Sequence, residues 1–220
     1  MPGLVLAGQT FDVPGLEIVN WHDDPRLRLR AVEDMRARRT GERVRMVVLH
    51  TTKGIPGGRD RRPQDIRPGL GPRADAALRC ARSWSLDGRH GGAHLVVDHD
   101  GSVACLADLQ REVAYHVGGA PGLNGASVGV EAFQGSGAEL YECQIAAVVT
   151  LCGALARLLG VERVVPPPYR GRPVEALRSG ARGWSGFLGH RDCDANRGAG
   201  DPGDAIMDAL VAAGWTRGAS

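Results

Sequence analysis

The chain has 220 residues, 43% apolar and 24% charged, with a formal net charge of +2. That length and composition suit one globular domain with a real core, and they exclude a disordered or fibrous chain. A charge so near neutral sets up no global field toward nucleic acid or an anionic membrane, and neither is expected as a partner.

The opening stretch, "MPGLVLAGQTFDVPG", has a short apolar run with no basic segment before it, unlike a secretory signal. No later stretch reads as long and apolar enough to span a bilayer. The expectation is a protein made in the cytoplasm, without an export address of its own and without membrane insertion. Residues 1–42 read as an N-terminal extension. Their "DPRLRLRAVEDMRARRTGER" interleaves arginines with acids and offers no core of its own, as a solvated surface strand and loop or a partner-binding arm would.

A single domain is expected over 43–220. "RVRMVVLHTT" (43–52) alternates and then becomes wholly apolar, as a central strand does. A Gly/Pro/Arg loop (57–72) precedes "RADAALRCARSW" (73–84), with apolar residues at helical spacing. "AHLVVDHDGSVACL" (93–106) has the outline of a hairpin turning at Asp100-Gly101. "SVGVEAF" (127–133) is a further strand. "ECQIAAVVTLCGALARLLG" (142–160) predicts the clearest helix, with Ile145, Val148, Val149, Cys152, Leu155 and Leu159 on one stripe and Gly160 as its C-terminal stop. Ser136 and Glu139 have capping-box spacing a little before it. A long loop (165–183) leads to a short strand, "GFLGH", then to "GHRDCDANRGAGDPG" (189–203) and a last helix, "DAIMDALVAAG". Strands and helices interleave without a regular βαβ order, so the fold class is α/β: one central mixed β-sheet flanked by helices.

Five cysteines, an odd number at irregular spacing, contain no CxxC pair. Cys143 and Cys152 fall too far apart on one helix to bridge, so reduced and mostly buried thiols are expected.

Three polar residues stand where a structural strand would not choose them. His50 closes an apolar strand, His190 closes a second, and Asp201 follows in a polar, glycine-rich loop. Residues at strand ends line a sheet edge, the usual place for a site on an α/β scaffold. Two imidazoles and one carboxylate form a sound zinc set that leaves a fourth position open for water. A purely structural reading stands beside it. Lone histidines at strand ends are common, and Asp-Pro before a helix is a favoured N-cap pair, which would account for Asp201.

"VVLHTT", "AHLVVDHDGSV", "VAYHVGG", "NGASVGVEAF" and "GHRDCDANRGAGDPG" follow one another in the order and approximate spacing of the zinc-dependent N-acetylmuramoyl-L-alanine amidases. The chain resembles that family over about 44–215; it includes phage lysins, anhydromuropeptide amidases and peptidoglycan recognition proteins. The resemblance implies an amidase/peptidoglycan-recognition-like fold and a Zn2+ cofactor held by His50, His190 and Asp201. It implies Glu131 as general base and then acid, since related amidases carry a catalytic glutamate in the matching segment; without the family, a strand-face acid paired with an arginine is the simpler reading. His116 matches a groove-lining histidine and is expected to contact substrate, with a packed structural histidine as the alternative. Thr51 and Asn196, beside the ligands in sequence, are also expected at the substrate. Cys193 is a rival ligand by proximity to His190, but the family's cysteine variant occupies the Asp201 position.

Two departures stand out. Where relatives often carry an oxyanion-stabilising lysine, this chain has Ala199, leaving Arg197 or Asn196 to supply charge or a hydrogen bond. A tyrosine of some phage members has no counterpart, since Ala93 precedes His94. The implied activity is hydrolysis of the amide between N-acetylmuramic acid and L-alanine, on a peptidoglycan or muropeptide substrate, in endolysin-like wall lysis. The alternatives are a cytosolic enzyme recycling anhydromuropeptides and a non-catalytic peptidoglycan-binding module. A lysin would act on the wall after release from the cytoplasm.

Overall fold

The computed structural model describes residues 2–29, 36–38, 43–53, 80–82, 84, 91–118, 122–134, 140–172, 183–194 and 196–218. In chain order the strands are β1 (Leu4–Leu6), β2 (Gln9–Phe11), β3 (Ile18–Asn20), β4 (Arg36–Arg38), β5 (Met46–Lys53), β6 (Leu95–Val97), β7 (Val103–Cys105), β8 (Glu112–Ala114) and β9 (Ser127–Gln134). Helix α1 (Glu142–Leu159), β10 (Val164–Val165), β11 (Gly186–Gly189), α2 (His190–Cys193), α3 (Asp204–Ala212) and β12 (Thr216–Arg217) complete the chain.

Six strands form one sheet in the order β11-β5-β9-β6-β7-β3. β11, β5, β9 and β6 run parallel, β7 is antiparallel to β6, and β3 runs parallel to β7. The expected mixed sheet is therefore present, and β5 lies at its interior, which explains its apolar run: Met46, Val47, Val48 and Leu49 are all buried. The β6–β7 hairpin turns at Asp100-Gly101 as its sequence suggests, with Gly101 at φ 84.

Strand alternation sorts the sheet into two faces. Val47, Leu49, Val128, Val130 and Phe187 point into the main core, where they meet Val148, Leu151, Cys152 and Leu155 of α1 and Ile206, Met207 and Leu210 of α3. Met46, Val48 and Leu188 point to the opposite face. Both long helices cover the first face and leave the second to carry the site.

Helix α1 begins where the chain can be tied down. The Gln144 side chain accepts from the Tyr141 N–H (3.1 Å) and donates to the Phe133 carbonyl (2.8 Å), joining the helix start to the end of β9. Gly160, in the left-handed region at φ 65, ends it as expected. The proposed capping pair Ser136 and Glu139 lies outside the described residues, as do the 57–72 loop, His90 and most of the 73–84 helix, of which Cys80–Arg82 and Trp84 are helical. One expectation needs correction: α1, 18 residues with mean hydropathy 1.5, is long and apolar enough to cross a membrane by length and composition. Its apolarity is accounted for by the core stripe it buries against the sheet.

The N-terminal segment expected as an extension is built into this body. β3 forms the far edge of the sheet, and Leu4, Val5, Val13 and Ile18 join the main core. Asp108 receives the Ala7 and Gly8 N–H groups (3.0 and 2.7 Å), and Arg28 reaches Glu112 (2.6 Å). The apolar residues that dock this segment are few and scattered, and so they give no periodic signal in the sequence.

Candidate metal centre

Register brings the site together. Gly189 of β11 stands opposite Leu49 of β5, so His190, the next residue, arrives level with His50. His50 is in turn the register partner of Glu131 on β9. Parallel pairing thus sets His190, just past the end of β11, level with His50 on β5 and Glu131 on β9, on the face away from α1 and α3. Two details differ from the sequence reading. His50 lies inside β5, which continues to Lys53, and His190 is the first residue of α2 rather than the end of β11.

Asp201 closes the set from the loop. Helix α3 starts at Asp204 with Gly203 before it, so the N-cap explanation for Asp201 fails. Its carboxylate turns back to the sheet instead. Oδ1 accepts from the Thr51 N–H at 3.1 Å and lies 3.8 Å from His50 Nδ1, while Oδ2 lies 3.2 Å from His190 Nδ1. The two Nδ1 atoms are 3.0 Å apart. Among the described residues this is the one group of three or more histidine, cysteine or acidic side chains placed to hold a metal ion.

The loop between the ligands is pinned at several points. The Arg191 N–H donates to the Asp201 carbonyl (2.8 Å), and its guanidinium donates to the Ala199 carbonyl and to Asp204 (both 2.5 Å). The Thr51 hydroxyl donates to the Gly200 carbonyl (2.5 Å). Thr51, expected at the substrate, holds the ligand loop through both its N–H and its hydroxyl. Sequence reasoning missed Arg191, whose buried charge in "GHRD" was the available signal.

Electrostatics suit a cation. Burial holds the His50 imidazole well below its ordinary pKa, with the neighbouring His116, His190 and Arg197 acting in the same direction. A neutral His50 has a lone pair to give. The second nitrogen of His190, Nε2, is buried without a hydrogen-bond partner, with Asp194 Oδ2 3.5 Å away. Two imidazole nitrogens and a carboxylate converge on one small volume. That crowding of negative potential is what a divalent ion relieves, and the donor types fit zinc.

Glu131 stands at the edge of this cluster. Its Oε2 is buried without a hydrogen-bond partner. Burial, then the charge of Asp201, push its carboxyl up to about 8, partly offset by Arg197. Arg197 sits at the rim, 47% exposed, with Nε 3.7 Å from Asp194 Oδ2 and 4.0 Å from Asp201 Oδ2. Asn196 is exposed and its N–H donates to Asp194 (2.9 Å); no bond joins it to the ligands. Cys193 is buried with its thiol against the Gly189 and His190 carbonyls, and burial pushes it to about 12, so it is no thiolate ligand. All five cysteines are free thiols.

His116 lies behind the ligands rather than in front of them. Its Nδ1 is 3.0 Å from His50 Nε2 and its Nε2 is 3.1 Å from Ser127 Oγ. Both nitrogens are engaged and the residue is buried, as the packed alternative to substrate contact has it. His94 is structural too. Its Nδ1 accepts from the Gly129 N–H (3.0 Å) and its Nε2 donates to the Glu112 carbonyl (3.1 Å).

Residues 40–204 match the profile of the N-acetylmuramoyl-L-alanine amidase family. The chain belongs to that family. Among solved structures, this amidase-family chain is similar to a mutant endolysin from Bacillus subtilis at 14% identity and TM-score 0.54, covering 89% of this chain and 99% of that one. An N-acetylmuramoyl-L-alanine amidase endolysin from Clostridium intestinale matches at 15% identity and TM-score 0.46, over 80% and 90% of the two chains. The Drosophila peptidoglycan recognition protein SD matches at 14% and 0.49, over 91% and 95%. The endolysin likeness supports the shared fold. No curated protein matches the sequence.

Proposed function

We propose that this protein is a zinc-dependent N-acetylmuramoyl-L-alanine amidase that hydrolyses the bond between the lactyl carbonyl of N-acetylmuramic acid and the first L-alanine of the stem peptide. The observation that carries the reading is the row His190–His50–Glu131 completed by Asp201, on a chain of the amidase family. His50, His190 and Asp201 would hold the zinc. When bound there it supplies Lewis acidity, polarising the scissile carbonyl and acidifying water.

Glu131 does the proton work. Its carboxyl, unpartnered at Oε2 and raised toward neutrality, takes a proton from the attacking water and returns it to the alanine nitrogen as the C–N bond breaks. A positive charge at the ligands lowers its pKa and favours the base form at the start of the cycle. Arg197 reaches over Asp201 from the rim, where its guanidinium can take the role of the lysine replaced by Ala199 and steady negative charge on the carbonyl oxygen. A non-catalytic binding module would have no use for a carboxyl with one oxygen buried and unpartnered beside three convergent ligands.

The arginine-rich N-terminal segment and the 165–183 loop favour intact wall over a soluble muropeptide as substrate, and with it a lytic role. The test is product analysis on purified sacculi and on a soluble 1,6-anhydromuropeptide. Mass spectrometry should find stem peptides with a new free L-alanine amino terminus, released faster from sacculi. Cleavage at any other bond would overturn the assignment, and a strong preference for the soluble substrate would move the role to recycling.

A further inference from the structure

The hydrogen bonds behind His50 form a chain whose far end is fixed. Ser127 Oγ lies 2.6 Å from the Leu123 carbonyl, which can only accept, so the one hydroxyl hydrogen points there. Toward His116 Nε2, at 3.1 Å, the same oxygen must then accept. His116 therefore carries a hydrogen on Nε2, and the tautomer with that one ring hydrogen presents a bare Nδ1 to His50 Nε2 at 3.0 Å. His50 is left with its hydrogen on Nε2 and an unprotonated Nδ1, the atom that faces His190 and Asp201.

We propose that His116 and Ser127 are positioning residues that set the tautomer of His50, so that its Nδ1 lone pair is ready for the metal before the metal arrives. The proposal rests on the zinc-centre reading above. In the opposite tautomer His50 would aim an N–H at the other ligands and oppose its Nε2 lone pair to that of His116. A metal entering that arrangement would first have to displace the proton.

The place of the His116 ring is built for this task. Its own N–H and that of Val117 both donate to Asn124 Oδ1 (3.0 and 2.9 Å), while Asn124 Nδ2 donates back to the Val117 carbonyl (3.0 Å). The ring lies across Gly129, where a Cβ would come within 2.5 Å of its Cγ. Any side chain at 129 would push the ring off β9. His94, which fixes the Gly129 N–H, braces the same point from the next strand.

The test reads the tautomer directly. In metal-free, 15N-histidine-labelled protein, long-range 1H–15N correlation should show His50 protonated on Nε2 with a bare Nδ1. In His116→Phe a population protonated on Nδ1 should appear, and affinity for zinc alone should fall about 10–100-fold. His116→Gln, whose amide can accept from His50 and donate to Ser127, should restore most of both. Gly129→Ala should act in the direction of His116→Phe. A wild-type His50 protonated on Nδ1 would overturn the proposal, as would a His116→Phe protein with unchanged His50 tautomer and zinc affinity. The tautomer is read without metal or substrate, so a failure of the zinc centre is seen separately, as a wild type that takes up no zinc while His50 keeps its proton on Nε2.

Discussion

His50 and Glu131 are register partners on adjacent parallel strands, β5 and β9, and their side chains therefore leave the sheet on the same face. A metal ligand and a proton carrier are thus placed side by side by backbone pairing alone. Replacing Glu131 by Gln should keep the shape and the zinc while removing the group that moves the proton. The expected outcome is zinc content equal to wild type with kcat lowered on the order of 100- to 10,000-fold. A Glu131→Gln enzyme with near wild-type kcat would remove the residue from the mechanism.

Glu131 also makes the metal-free fold sensitive to pH. Burial and Asp201 raise its carboxyl to about 8, so the folded chain holds the proton to a higher pH than the unfolded chain does. The fold consequently loses stability as pH rises from the ordinary carboxylate range through about 8. His50 acts at the other end: its depressed pKa costs stability as pH falls through the ordinary imidazole range, equally in both proteins. Thermal melts of the metal-free pair should show Glu131→Gln gaining on wild type as pH rises, with added zinc shrinking the difference. A gap independent of pH would contradict the assigned shift.

Thr51 separates loop anchoring from substrate contact. Its hydroxyl donates to Gly200 and its N–H to Asp201, so Thr51→Val should remove one bond holding the ligand loop. A loss of about 1 kcal/mol in stability is expected, with weaker zinc binding and an unchanged KM in zinc-saturated enzyme. A raised KM with normal zinc affinity would place Thr51 at the substrate instead.

Arg197 is the candidate for the charge that Ala199 does not supply. It is half exposed and makes no close bond to the ligands, so Arg197→Ala should fold and bind zinc normally. Its kcat should fall on the order of 100-fold, as loss of one oxyanion donor does, with Arg197→Lys intermediate. An unchanged kcat would leave the oxyanion to the metal alone.

Much of this site was legible because strand ends and loop chemistry are local signals. His50, His190 and Asp201 stood out as polar residues in or after apolar strands, and Glu131 was picked out by the family segment it matches. What the sequence did not reveal depends on pairing across the sheet. That His190 stands level with His50 follows from β11–β5 register, and nothing in "GFLGH" states which strand it joins. The contacts of His116 were hidden because its partners, His50 and Ser127, lie 66 and 11 residues away in sequence. The anchoring by Thr51 was hidden because a ligand's neighbour and a loop anchor look alike until the loop is folded over it. The role of residues 1–29 was hidden for a related reason: β3 finds its partner at Val103–Cys105, far along the chain.

The most direct measurement is reconstitution. The protein is stripped with a chelator, zinc is added in measured fractions, and release of free L-alanine amino termini from peptidoglycan is followed beside the bound metal. The account predicts no hydrolysis in the stripped protein, activity rising in proportion to zinc and saturating at one ion per chain, and none of this in His190→Ala. Full amide hydrolysis without metal, or a folded chain loaded with one zinc that releases no L-alanine terminus, would contradict it.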